Sequence, residues 1–122
     1  MKKTILALFA FLSLFSVAIP QELIDAPKPI KYGIIKFEAD WCGPCKSLTN
    51  VFNLQEVQAE LEKFDFYIVD IDTDKKLPTI YHVSQIPCVV MFEYLPDDKA
   101  KEIKRFVGSR NKDFVLQWLK NF

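Results

Sequence analysis

Cys42-Gly43-Pro44-Cys45 sets two thiols three positions apart. At the start of a helix that spacing brings the sulfurs within one turn, so they can close a small, reversible disulfide ring. A helix N-terminus carries partial positive charge and free N–H groups, which stabilise a thiolate on the first cysteine. Only a thiolate attacks a disulfide, which makes Cys42 the candidate nucleophile and Cys45 the candidate resolving thiol. Pro44 suits the first helical turn, where its missing N–H costs little. A zinc site and a purely structural disulfide use the same spacing. Zinc needs four ligands, and beyond the pair the cysteine and histidine inventory holds only Cys88 and His82.

The elements that must position this pair follow from the apolar pattern. Tyr32 to Ala39 is rich in Ile, Phe and Tyr and predicts a strand ending just before the thiols. Cys42 to Lys63 has helical spacing, with Leu48, Val51, Phe52, Val57 and Leu61 as its buried stripe. Phe64 to Ile71 predicts a second strand, and Leu77 to Val83 a short helix begun near Pro78. Cys88 to Tyr94 is apolar almost throughout, as a buried central strand would be. Leu95 to Lys99 is a turn, Ala100 to Val107 a fourth strand, and Asn111 to Phe122 an amphipathic closing helix. The order β-α-β-α-β-β-α predicts an α/β sheet covered by helices.

Composition narrows the function classes. The chain has 122 residues, enough for one domain with a real hydrophobic core. Lys and Arg equal Asp and Glu at 16 each, so the basic excess of a nucleic-acid binder is missing. Three cysteines are too few for a disulfide scaffold. Residues 1–18 have the pattern of a secretory signal peptide: Lys2 and Lys3, an apolar run from Ile5 to Val17, and small residues at Ser16 and Ala18. An uncleaved N-terminal anchor is the alternative. Export to a periplasmic or extracellular space implies an oxidising compartment. Residues 19–31, with Pro27 and Pro29, read as an arm, and residues 32–122 as the folded domain.

The segment Phe37-Glu38-Ala39-Asp40-Trp41-Cys42-Gly43-Pro44-Cys45-Lys46 resembles the active-site segment of thioredoxins. The resemblance continues through Val69-Asp70-Ile71-Asp72, Ile86-Pro87 and Val107-Gly108, in the family's order and spacing. It implies a thioredoxin fold, with a central mixed sheet flanked by helices, and thiol–disulfide exchange on protein substrates. It places Ile86 and a cis Pro87 beside the cysteine pair, where their backbone would hydrogen-bond an extended substrate. Trp41, Gly43, Pro44, Ile71, Val107 and Gly108 would complete a shallow apolar binding surface. The bland alternative for Ile71 and Val107 is ordinary strand packing.

Four positions depart from the family pattern. Lys36 stands six residues before Cys42, where the family has a buried aspartate that assists proton removal from the second cysteine. A charged lysine cannot take that proton. Its charge would favour nearby thiolates, unless it snorkels to a sheet edge and does nothing catalytic. Glu38 shares its strand face by alternation and is the candidate replacement acid. Cys88 replaces a threonine after Pro87 and is either a small core residue or a third redox thiol. Asn50 replaces a kinking proline, which predicts a straighter long helix. His82 reads as a solvated surface residue.

The functional expectation is an exported reductase of protein disulfides. Cys-Gly-Pro-Cys is the arrangement typical of the family's reducing members. Such a protein would need a membrane thiol electron donor, because its own compartment oxidises it. It would use no cofactor beyond its own dithiol, bind no nucleic acid and act as a monomer. An oxidase or isomerase of exported proteins, and a binding subunit built on the same fold, are the alternatives.

Overall fold

The computed structural model describes residues 29–122; the expected signal peptide and most of the arm lie outside the described residues. Among the described residues four strands and four helices follow one another: β1 (Tyr32–Glu38), α1 (Gly43–Phe52), α2 (Gln55–Leu61), β2 (Asp65–Asp70), α3 (Lys76–Ile80), β3 (Cys88–Leu95), β4 (Lys99–Val107) and α4 (Lys112–Lys120). They form a mixed sheet of order β2-β1-β3-β4, with β1 and β2 parallel and the other pairs antiparallel. β1 and β3 are the inner strands, which is why their Ile, Val, Phe and Met residues are buried on both faces.

Each face of the sheet carries its own core. On one face Ile34, Val89 and Met91 meet Leu48 and Phe52 of α1, Val57 and Leu61 of α2, and Val115 and Leu119 of α4. On the other, Ile35, Phe37, Val90 and Phe92 meet Leu77 of α3 and the Tyr81 and Val83 that follow it. Asn111 caps α4, its side-chain oxygen accepting the Phe114 N–H at 2.9 Å. The β3–β4 turn holds Asp97 and Asp98 at φ 64° and 55°, a left-handed geometry that a short polar side chain tolerates.

Two expectations are corrected. The helix expected over Cys42 to Lys63 is not straighter; it breaks into α1 and α2. Leu54 turns extended (φ −65°, ψ 141°), and the Gln58 side-chain amide donates to the Phe52 carbonyl at 2.7 Å. That bond satisfies a carbonyl the break would leave open. Lys36 does not snorkel to a sheet edge. It lies on the inner strand β1 and is 1% exposed, so water is out of reach and the ammonium must find partners inside.

The register explains how separated sequence blocks converge. Glu38 pairs with Asp70, Phe37 with Cys88, and Cys88 with Val107. The ends of β1, β2 and β4 and the start of β3 therefore lie along one rim of the sheet. α1 begins at this rim, directly after β1.

Candidate active site

Cys42 is the N-cap of α1 and Pro44 lies in the first turn. Cys42 and Cys45 form a disulfide, with Cα atoms 5.2 Å apart. Both are nearly buried, at 5% and 2% exposure. The Cys45 N–H donates to Cys42 Sγ at 3.2 Å. No acidic residue occupies the first turn of α1. A thiolate on Cys42 would therefore meet a backbone donor and the positive helix end, with no carboxylate in that turn to offset them.

The Ile86–Pro87 peptide is cis. The Ile86 carbonyl oxygen lies 3.9 Å from Cys42 Sγ, so this loop flanks the disulfide directly. The Gly108 N–H donates to the Pro87 carbonyl at 2.8 Å and ties the end of β4 to the same loop. Gly108 sits at φ +88°, a region glycine enters without strain. Ile71 and Ile86 pack against the small cluster of Ala39, Cys42 and Cys45. Trp41 is 69% exposed beside the pair, and its indole N–H donates to Asp72 Oδ2 at 2.9 Å. Trp41, Gly43, Pro44, Ile86, Pro87, Val107 and Gly108 are thus gathered at one rim, around a sulfur that is itself almost covered.

A second set of contacts lies behind the pair. Lys36 Nζ bridges the Glu38 carboxylate and Thr49 Oγ1, the latter at 2.6 Å. Thr49 Oγ1 also lies 3.3 Å from Glu38 and donates to the Cys45 carbonyl at 3.0 Å. A cleft of about 410 Å³ opens here, with Glu38, Thr49 and Cys45 in its wall. The Glu38 side chain keeps 25% of its surface exposed, so solvent reaches it. Lys36 and Glu38 are brought together with Cys45.

Cys88 is not brought into the pair's cluster. It is 1% exposed and packs with Ile35, Phe37 and Val90 on the α3 face. Burial pushes its thiol up from the ordinary value, partly opposed by the Arg105 guanidinium. His82 is exposed, in the turn after α3. Among the described residues no three His, Cys, Asp or Glu side chains converge as a metal site would require. Thr49 and Asp72 also belong to this site, although the motifs do not single them out. Thr49 lies one helical turn beyond Cys45, and Asp72 closes the Val69-Asp70-Ile71-Asp72 block, so both had a positional signal.

Comparison with known proteins adds to this geometry. The family model described as Thioredoxin matches residues 21–121. The thioredoxin of Chlamydia trachomatis is 39% identical over 84 residues, 69% of this chain and 76% of that protein. The thioredoxin of Rickettsia felis is 29% identical over 100 residues, 81% of this chain and 86% of that one. Among solved structures, the Malassezia sympodialis thioredoxin is 26% identical with a TM-score of 0.62, covering 75% of this chain and 76% of the other. The Thermus thermophilus thioredoxin is 24% identical with a TM-score of 0.66, covering 74% and 72%, a likeness of fold.

Proposed function

From a chain that belongs to the thioredoxin family and is a thiol–disulfide oxidoreductase, we propose an exported reductase of protein disulfides. The observation that carries this reading is the Cys42–Cys45 pair at the N-terminus of α1, with Cys42 Sγ against the cis-proline loop. The Cys-Gly-Pro-Cys arrangement supports the reducing direction. The signal-like pattern of residues 1–18 supports export, to a periplasmic or extracellular space.

The cycle uses this chain's own atoms. The Cys42 thiolate attacks a client disulfide, forming a mixed disulfide and releasing one client sulfur, which takes a proton from water. Cys45 then loses its proton, attacks Cys42 Sγ, and releases the second client sulfur. The client gains two electrons and the pair is left as a disulfide. A membrane thiol donor restores the dithiol, and no other redox group is called for. The chain acts as a monomer. Glu38 is the acceptor of the Cys45 proton, through solvent in the cleft whose wall both residues form.

Lys36 gives the oxidase reading its one favouring observation, since a buried cation would stabilise the reduced thiolates. Glu38 contacts that cation directly. The dithiol therefore faces an ion pair, whose field falls off faster than that of a lone charge, and this supports the reductase instead. The test is a trap. Cys45→Ser should accumulate a mixed disulfide between Cys42 and a disulfide-bonded client, and Cys42→Ser should form none. Disulfide reduction that survives Cys42→Ser would overturn the proposal.

A further inference from the structure

Arg110 follows the Val107-Gly108 end of β4 by two residues, and its guanidinium turns back over that end. A Cβ built on Gly108 would lie 3.3 Å from Arg110 Nη1. Gly108 is itself bonded to the Pro87 carbonyl at 2.8 Å, and the adjoining Ile86 carbonyl lies 3.9 Å from Cys42 Sγ. Direct neighbours thus run from the reactive sulfur, through the cis-proline loop and Gly108, to the guanidinium. The side chain is held in place on two sides. Nη1 donates to the Ser109 carbonyl at 3.0 Å, and Cζ stands 5.3 Å from the centre of the Phe114 ring. Arg110 is nonetheless exposed, and among the described residues it forms no ion pair. Its remaining N–H donors form a planar fork that matches a carboxylate.

We propose that Arg110 is a specificity-determining residue. It selects client segments that carry an Asp or Glu close to the reactive half-cystine, on the flank that passes Gly108. The inference rests on the reading of this chain as a reductase of protein disulfides, and names a class of client for it. One exposed ion pair sets the scale of the preference at about two- to fivefold. Salt should erode it, because exposed charges are screened beyond about 8 Å at physiological ionic strength.

The test mixes the reduced full-length protein with disulfide-bonded peptides that carry Glu, Gln or Lys at one position before or after the half-cystine. Stopped-flow kinetics give each rate. On one flank the expected order at low salt is Glu, then Gln, then Lys, and high salt narrows the spread. Arg110→Gln should bring the three rates together, and Arg110→Glu should reverse their order. A merely structural role for Arg110 would not invert a charge preference. Equal rates on both flanks in the unaltered protein, or an unaltered order in Arg110→Gln, would overturn the proposal. A protein that reduces none of the peptides would overturn the exchange reading beneath it, so the two failures are distinct.

Discussion

Lys36 is the residue that most constrains the chemistry around the pair. An ammonium with 1% exposure survives only if it is paired. Glu38 and Thr49 supply that pairing, and Thr49 ties it to the Cys45 backbone. Replacing Glu38 by Gln keeps the shape and an acceptor for Lys36 but removes the basic oxygen. The account predicts that Glu38→Gln slows resolution of the mixed disulfide by roughly 10²-fold, the lower end for a general base. Formation of the mixed disulfide needs only the Cys42 thiolate and should keep its rate. Two-phase stopped-flow kinetics separate the steps. An unslowed second phase would remove Glu38 from the mechanism. A loss of both phases would point to damage to the fold instead. The thiols were legible because they occupy one short stretch. Thr49 was not, because its contact with Lys36 depends on how α1 crosses β1.

At the scale of elements, the strands were legible from their β-branched and aromatic runs, and the observed ends fall close to the expected ones. The break between α1 and α2 was not read, because every residue of the expected stripe does pack on the same core. The signal was present as a phase slip. From Leu48 to Phe52 and from Val57 to Leu61 the step is four residues, as a helix requires; from Phe52 to Val57 it is five. That extra residue turns the face by about 100°, and the extended Leu54 restores it. Strand β1 offers a direct test of packing. A Cβ on Gly33 would lie 2.2 Å from Phe92 Cζ, the tip of a ring that is 5% exposed. Gly33→Ala should cost about 1–3 kcal/mol through overpacking, read as a fall of several degrees in Tm. A melting temperature equal to that of the unaltered protein would contradict this close approach.

For the whole molecule, the sheet order does the assembling. Parallel β1 and β2 end at the rim where antiparallel β3 begins and β4 ends. The cysteine pair, the cis-proline loop and the Val107-Gly108 turn are far apart in sequence and meet only there. Their order along the chain was legible. The placement of Arg110 was not, because it rests on a side chain folding back over Gly108. The proposed function turns on the reducing direction of the pair. It is tested most directly by the reduction potential of Cys42–Cys45, measured by equilibrating the protein with defined thiol–disulfide buffers, with Cys88→Ser run alongside. The account predicts a value near the ~−270 mV of thioredoxin, the same in both proteins. A value above ~−180 mV would contradict a reductase and make the chain an oxidase or isomerase.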